Sequence, residues 1–177
     1  MMIEEIIKSV IRDIPDFPKP GIVFKDITPI LKDANLCNLI VDEFVKKLKN
    51  VEIDVVAGIE SRGFLFGMML ANKLNIPFVP IRKQGKLPAK TISESYKLEY
   101  GQATIEIHDD AFQPGQKVLI HDDLLATGGT VVAAAKLIEK LGGQVAGFSF
   151  VINLAFLSGE GRLNRFSDNT ISLVTYN

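Results

Sequence analysis

Apolar positions recur at helical spacing in two stretches of the N-terminal third of the chain. Residues 2–12 repeat isoleucine and valine every three or four positions, and residues 35–49 do the same with leucine, isoleucine and phenylalanine. This spacing puts the apolar side chains on one face of a helix, so both stretches are predicted to be amphipathic helices. Three prolines and a glycine between positions 15 and 21 predict an irregular segment between them.

Short apolar runs follow and alternate with further helical patterns. We expect strands over 54–59, 77–81, 96–100, 103–107, 118–120, 145–154 and 170–175, and helices over 63–74, from the loop 127–130 to Gly142, and over 159–165. The segment 82–91 has no apolar period and is expected to be a loop. Strands that alternate with helices favour right-handed βαβ units, so the fold class is α/β with a mostly parallel central sheet flanked by helices.

The length and composition indicate one globular domain spanning 1–177. The chain has 177 residues, of which 47% are hydrophobic and 23% charged, which is ordinary for a globular protein. The first 35 residues do not follow the alternation and are expected to form an appendage at one edge or end of the sheet. No apolar run reaches the roughly 18 residues that span a bilayer, so no membrane association is expected.

Charge and cysteine content narrow the function classes. The formal net charge is −1 at pH 7 and no helix-turn-helix pattern is present, so nucleic acid is not an expected partner. Cys37 is the single cysteine, which excludes an intrachain disulfide and favours a reducing compartment. The N-terminal residues do not resemble a signal peptide, so we expect a cytoplasmic protein.

The string VLIHDDLLATGGT, residues 118–130, is the stretch that most clearly indicates a ligand-binding site. A short strand ends in Asp122 and Asp123, and open α/β sheets bind ligands at the carboxyl ends of their strands. Thr127–Thr130 then opens a helix, where backbone N–H groups and the helix dipole favour an anion. An ordinary strand-to-helix turn capped by threonine is the alternative interpretation. The string is neither a Walker A loop nor GxGxxG.

Cations stand in two further polar turns. Arg62 occupies a helix start, where the dipole disfavours a cation unless an anionic ligand is present. Residues 82–90 carry Arg82, Lys83, Lys86 and Lys90 without an acidic residue. A mobile cationic lid over a diphosphate would need this composition, whereas a surface ion pair at Arg62 and a solvated loop over 82–90 are the simpler alternatives.

Four strings together resemble the adenine phosphoribosyltransferases, a family of type I phosphoribosyltransferases. They are PGIVFKDITP from Pro20, AGIESRGF from Ala57, RKQGKLP from Arg82 followed by SYKLEYG, and DDLLATGGT from Asp122. The resemblance implies the type I fold with an N-terminal hood and a flexible β-hairpin lid. It also implies conversion of adenine and 5-phosphoribosyl-1-diphosphate (PRPP) to AMP and diphosphate, with Mg²⁺ as cofactor, in a homodimer.

The resemblance also implies the role of each site residue. The catalytic group would be Glu99, as acid or base, with Asp122 and Asp123. The remaining sets would be Ala126, Thr127, Gly128, Gly129 and Thr130 for the 5′-phosphate of PRPP or AMP; Ser61, Arg62, Arg82, Lys83 and Lys86 for diphosphate; Val23, Phe24, Lys25 and Leu157 for adenine; and Tyr100 in the lid. Mg²⁺ would be held mainly by PRPP, with water-mediated contacts to Asp122 and Asp123. Members often carry a cis peptide at the position of Glu60–Ser61.

The sequence departs from the family pattern at four places. Lys25 stands where many members have arginine, and His121 stands where an apolar residue is usual. Asn153 replaces a common glutamate, and the tail from Leu157 reads LSGEGRL where members typically read LxGREKL. Two alternative functions are compatible with the sequence: a phosphoribosyltransferase for another base, such as xanthine, and a non-catalytic PRPP-sensing regulator.

Overall fold

The computed structural model describes residues 2–98 and 101–177. The helices are α1 (Ile3–Val10), α2 (Ala34–Lys47), α3 (Gly63–Leu74) and α4 (Gly129–Lys140), with 3₁₀ helices at Thr28–Lys32, Ala155–Leu157 and Glu160–Arg162. The strands are β1 (Arg12–Pro15), β2 (Val23–Asp26), β3 (Val55–Ile59), β4 (Phe78–Lys83), β5 (Thr91–Lys97), β6 (Gln102–His108), β7 (Lys117–Leu125), β8 (Gln144–Leu154) and β9 (Thr170–Tyr176).

Seven strands form the central sheet in the order β5-β6-β4-β3-β7-β8-β9. The five strands from β4 to β9 in this order run parallel, and the β5–β6 hairpin joins them antiparallel through β6. The predicted α/β class with a mostly parallel sheet is confirmed. The carboxyl ends of the neighbouring strands β3 and β7 lie side by side, where ligands are expected in an open sheet.

Two apolar clusters cover the two faces of this sheet. Consecutive residues of one strand belong to different clusters, because their side chains point to opposite faces of the sheet. Val118 lies in the cluster formed with α4, and Leu119 lies in the cluster formed with α2 and α3. The second cluster also contains Ile7, Ile27 and Ile30, all fully buried. The N-terminal segment therefore contributes to the core.

An antiparallel hairpin of β1 and β2 precedes this core, with Pro15 opposite Val23 at its tip. The Arg12 guanidinium donates two hydrogen bonds to Asp26, at 2.8 and 3.1 Å. Asp26 also accepts from the backbone N–H of Thr28 at 2.9 Å. Burial of Asp26 opposes its ionisation, but these donors outweigh that effect and lower its pKa. The hairpin is thus fixed to the start of the 3₁₀ helix.

Several expected boundaries were wrong, and local pairing explains them. The strand expected over 118–120 continues to Leu125, so both aspartates lie within β7, because β8 pairs alongside it as far as Asn153. β5 begins at Thr91 instead of residue 96, and β4 extends to Lys83 into the expected loop. The helix expected over 159–165 is a single 3₁₀ turn, consistent with the low helix propensity of Gly159 and Gly161. No helix in the described part of the chain is long and apolar enough to cross a membrane.

Candidate active site

A cavity of about 350 Å³ opens at the carboxyl ends of β3 and β7. Its lining combines both aspartates with cationic and hydroxyl groups: Ile59, Glu60, Ser61, Arg62, Ile81, Lys83, Tyr96, Ile105, Asp122, Asp123, Leu124 and Thr130. Residues that the sequence placed in three separate motifs therefore meet around one space.

Arg62 connects the two strand ends. It follows β3 at the start of α3, and its Nε donates a hydrogen bond of 2.5 Å to Oδ2 of Asp123. The Asp123 side chain is 6% exposed, whereas the Arg62 side chain is 37% exposed. The expected cis peptide is present at Glu60–Ser61, directly before Arg62.

Asp122 and Asp123 are neighbouring carboxylates in different surroundings. Burial raises the pKa of Asp122 well above its usual value, and the charge of Asp123 raises it further, while Arg62 acts in the opposite direction. The backbone N–H of Asp123 donates to Oδ1 of Asp122 at 2.8 Å. The pair therefore favours a neighbouring positive charge or a proton.

The loop 126–130 forms a smaller cavity of about 90 Å³ with Asp122, Leu124 and Val131. Gly128 precedes α4 with φ of +78°, a conformation that favours glycine, and no side chain caps the helix. The threonine cap considered from sequence is therefore absent at this helix. The first N–H groups of α4 remain available to an anion, as at other helix N-termini.

The cations of segment 82–90 are only partly gathered at the cavity. Arg82 donates to both carboxylate oxygens of Glu60 at 3.2 Å, and the N–H of Lys83 donates to Glu60 at 2.8 Å. Burial opposes ionisation of Glu60, but these donors outweigh it and lower its pKa. Lys83 lines the cavity, while Lys86 is exposed and its carbonyl accepts from Arg82 at 3.0 Å.

The β1–β2 hairpin brings an aromatic ring to Arg62. The guanidinium carbon of Arg62 lies 5.0 Å from the centre of the Phe24 ring, and Phe17 packs edge-on against that ring at 5.3 Å. Val23, beside Phe24, is half exposed. Leu157 is exposed in the 3₁₀ helix that follows β8. The ring that the family pattern assigns to adenine thus lies next to the cation that it assigns to diphosphate.

Lys25 contacts Asp13 and Tyr176. Its ammonium binds both carboxylate oxygens of Asp13 at 2.7 Å and lies 4.2 Å from the centre of the Tyr176 ring. Its side chain is only 14% exposed. Lys25 therefore joins the hairpin to the C-terminal strand, and its charge is directed at Asp13 in this structure.

His121 lies directly before the aspartates and is fully buried. Its Nδ1 is 2.8 Å from Oγ of Ser149, the Phe44 ring packs edge-on against it at 5.4 Å, and its Nε2 has no hydrogen-bond partner among the described residues. Burial lowers the pKa of His121 to about 3. The imidazole is therefore neutral at physiological pH.

The site assignments made from the sequence did not include Glu60, Tyr96 or Arg162. Glu99 and Tyr100 lie outside the described residues. Glu60 orients Arg82, Tyr96 lines the cavity from β5, and Arg162 donates to the carbonyl of Thr127 at 2.9 Å. Their partners are distant in sequence, so spacing alone gave no signal. Across residues 2–98 and 101–177, no group of three or more histidine, cysteine or acidic side chains could hold a metal ion.

Comparison with known proteins first gives the class. Residues 27–164 match the family described as the phosphoribosyl transferase domain. This match includes the cavity-lining residues of β3, β4 and β7 and the loop 126–130. The fold and the family match are those of a phosphoribosyltransferase.

Full-length relatives then give the family. An adenine phosphoribosyltransferase from Cytophaga hutchinsonii is 53% identical over 175 residues, covering 99% of this chain and 97% of the relative. The crystal structure of adenine phosphoribosyltransferase from Thermoanaerobacter pseudethanolicus superposes with a TM-score of 0.94 at 53% identity, covering 97% and 99% of the two chains. The chain belongs to the adenine phosphoribosyltransferase family.

A more distant structure contains ligands. The adenine phosphoribosyltransferase of Saccharomyces cerevisiae, complexed with D-2,5-dideoxy-2,5-imino-altritol 1,6-bisphosphate and adenine, is 38% identical and superposes with a TM-score of 0.90. The alignment covers 97% of this chain and 98% of the yeast chain.

Proposed function

We propose that this chain transfers the 5-phosphoribosyl group of PRPP to adenine, forming AMP and releasing diphosphate. Membership of the adenine phosphoribosyltransferase family supports this reaction. The observation that carries it is the meeting of Asp122, Asp123, Arg62 and Thr130 around one cavity of about 350 Å³. Two carboxylates, a cation and an anion cradle in one space suit a sugar that bears phosphate groups at both ends.

The loop 126–130 is proposed to bind the 5′-phosphate. Its N–H groups and the dipole of α4 offer partial positive charge without an obligatory lysine. Asp122 and Asp123 would bind the ribose hydroxyls and stabilise the positive charge that develops at C1′ as the diphosphate leaves. Arg62, Ser61 and the cations of segment 82–90 would bind that diphosphate.

Val23 and Phe24 are proposed to select the base. Pro15 opposes Val23 in the hairpin and has no N–H to donate, so the Val23 carbonyl receives no ladder bond from that residue. A backbone carbonyl beside a backbone N–H matches the amino group and N1 of adenine. A 6-oxo purine presents the opposite pattern and would leave buried groups unpaired. Phe24 and Leu157 would pack on the two faces of the ring. Lys25 would support adenine binding indirectly, by holding the hairpin that carries Val23 and Phe24.

Glu99 is proposed as the acid or base that serves the purine ring, with Tyr100 in the lid over the site. The family pattern SYKLEYG supports both assignments. Glu99→Gln should lower turnover more than PRPP affinity. An equal effect on both quantities would assign Glu99 to binding or folding.

Mg²⁺ is proposed as the cofactor. The raised pKa of Asp122, which results from burial and the neighbouring Asp123, indicates a site that accepts additional positive charge. Asp122 and Asp123 would contact the hydrated ion through water, as suits a cation that retains much of its hydration. When bound with PRPP, the ion would neutralise charge on the departing diphosphate.

The remaining proposals concern organisation. We infer one domain over 1–177 in which the first 35 residues carry the hood, a homodimer, and a cytoplasmic location. Leu65 and Met68 support the homodimer, because they are 40% and 54% exposed and lie three residues apart on α3, hence on one face. Cys37, buried and unbridged, is consistent with a reducing compartment. Light scattering during size-exclusion chromatography measures the assembly directly.

A base panel tests the proposed reaction. The purified protein is supplied with Mg-PRPP and separately with adenine, hypoxanthine, guanine or xanthine, while diphosphate release is followed. We expect release with adenine, and its loss when EDTA removes Mg²⁺. Turnover of a 6-oxo purine with adenine inert would overturn the assignment of Val23. PRPP binding without turnover of any base would instead indicate a PRPP-sensing protein.

A further inference from the structure

The C-terminal turn 158–163 packs directly on the loop 126–130. Gly159 is buried, and a Cβ at this position would collide with the carbonyl oxygen of Ala126. Leu163, which ends the turn, is fully buried in the cluster that also contains α4. The proposed phosphate loop is therefore supported from outside by a segment distant in sequence.

Arg162 makes the polar contact between these two segments. Its Nη1 donates to the carbonyl oxygen of Thr127 at 2.9 Å. The residue is otherwise exposed, and it borders a second cavity of about 280 Å³ together with Gly129, Lys97 and Lys136. The guanidinium thus lies beside the N-terminus of α4 with further N–H donors unused by Thr127.

The contact between Arg162 and Thr127 affects the electrostatics of the loop. N–H groups attract a phosphate, but each peptide unit also carries a carbonyl of opposite polarity. A cation bound to the Thr127 carbonyl compensates its partial negative charge and holds that peptide in one orientation. Hydrogen bonds from a charged donor are stronger than neutral ones, so arginine suits this position.

A second hydrogen bond holds the turn that carries Arg162. Nδ2 of Asn153, in β8, donates to Oε2 of Glu160 at 2.9 Å. Asn153 is 3% exposed, so its amide is fixed by the sheet. Glu160 and Arg162 belong to the same 3₁₀ turn. The turn is therefore connected to β8 on one side and to the phosphate loop on the other.

We propose that Arg162 is a positioning residue for 5′-phosphate recognition, acting through the Thr127 carbonyl and through its charge beside α4. The proposal rests on the function proposed above, because it requires the loop 126–130 to bind the 5′-phosphate. It predicts that Arg162 affects ligands that carry this phosphate and leaves adenine binding unchanged.

The test compares ligands with and without the phosphate. Titration calorimetry measures the Kd values of AMP, ribose 5-phosphate and adenine for the wild type, Arg162→Ala and Arg162→Gln. We expect Arg162→Ala to raise the Kd of AMP and ribose 5-phosphate and the KM for PRPP about 10-fold, with kcat changed less than about threefold. Glutamine keeps a donor for Thr127 but not the charge. The Kd values of AMP and ribose 5-phosphate for Arg162→Gln should therefore lie between those for the wild type and Arg162→Ala.

Arg165→Ala is the matched control, because Arg165 is exposed in the same tail and lies on the Phe166 ring at 4.2 Å. Equal behaviour of Arg162→Ala and Arg165→Ala, or an equal loss of adenine and phosphate ligands, would overturn the proposal. If Arg162→Ala does not fold, Arg162→Gln carries the test, and unfolding of both would assign Arg162 a purely structural role. A wild-type protein that binds neither AMP nor ribose 5-phosphate would reject the proposed function itself.

Discussion

Arg62 and Asp123 form an ion pair of 2.5 Å although they lie 61 positions apart in the chain. The same guanidinium lies 5.0 Å from the Phe24 ring. Arg62 therefore touches a group proposed to bind ribose and one proposed to bind adenine, while its own proposed ligand is diphosphate. Binding of PRPP would give Arg62 a new anionic partner and release Asp123 to the ribose hydroxyls.

The first prediction follows from this ion pair. Arg62→Ala should raise the KM for PRPP about 10- to 100-fold, since hydrogen bonds to charged groups contribute ~1.5–3 kcal/mol. Steady-state kinetics with adenine saturating measures this change. Arg62→Lys keeps the charge but loses the planar donor set, so its KM should lie between the two. An unchanged KM in the alanine variant would remove Arg62 from the diphosphate site.

The sequence predicted Arg62 but not its partners, and the reason is physical. A cation at a helix start is unusual in itself, so local sequence identified the residue. The contact with Asp123 depends on β3 and β7 being neighbours in the sheet, which spacing along the chain does not encode. Lys25 illustrates the same limit: its family role suggested adenine, whereas its ammonium binds Asp13 and lies on the Tyr176 ring.

Element types were more predictable than their ends. The helix Gly63–Leu74 matches its expected bounds, because a turn precedes it and its apolar pattern ends with it. The extent of β7 depends on hydrogen bonds to β8, so the expected end at residue 120 was wrong. Asn153 and Glu160 are separate departures from the family pattern in sequence, yet they contact each other at 2.9 Å. Only the folded chain reveals that the two changes belong together.

Asp122→Asn should raise the stability of the fold and lower the activity. The pKa of Asp122 is raised in the folded state by burial and by Asp123, so stability falls as the pH rises from the ordinary value of 3.8 towards the raised pKa and stays low above it. Asparagine removes the charge and still accepts from the N–H of residue 123. We expect a Tm at least about 3 °C higher at pH 7.5 and a kcat about 100- to 1000-fold lower.

Calorimetric melting and diphosphate release measure the two effects. The Tm difference should shrink as the pH falls from the raised pKa towards the ordinary value of 3.8, because the wild-type carboxyl then becomes neutral in both the folded and the unfolded state. A lower Tm for Asp122→Asn at pH 7.5 would contradict the electrostatic interpretation. Full activity of the variant would remove this carboxylate from the mechanism.

His121 should make the fold sensitive to acid. Its folded pKa of about 3 lies below the ordinary value of 6.5, because burial disfavours the charged form. Between these values only the unfolded state takes up the proton, so stability is full above pH 6.5 and is lost as the pH falls toward 3. The loss is about 1.4 kcal/mol per pH unit, or about 2 kcal/mol at pH 5.

Urea unfolding at pH 7.5 and pH 5 tests this prediction. Because a leucine in place of His121 would leave the Ser149 hydroxyl unpaired, the comparison is between Ser149→Ala and the double variant His121→Leu with Ser149→Ala. The double variant should lose about 2 kcal/mol less free energy of unfolding between the two pH values. Asp122 acts in the opposite direction on acidification and is present in both proteins, so it cancels. Equal losses would show that His121 does not carry the acid sensitivity.

Gly159→Ala should damage the proposed phosphate site. The added methyl group would collide with the Ala126 carbonyl oxygen, and it would lie 3.0 Å from the Gly128 nitrogen, so the loop 126–130 must move. Gly161→Ala is the matched control, because a Cβ there meets nothing within 4 Å. We expect the KM for PRPP to rise at least about 10-fold in Gly159→Ala and to stay within about twofold in Gly161→Ala.

The φ angle of Gly159 is −65°, so alanine is tolerated there by the backbone and the effect isolates the steric contact. The Kd of ribose 5-phosphate should rise in parallel with the KM for PRPP, because both ligands carry the 5′-phosphate, while the Kd of adenine should not change. Equal kinetics for the two alanine variants would mean that the turn 158–163 can shift without moving the loop. The role proposed for its contact with Ala126 and Thr127 would then be wrong.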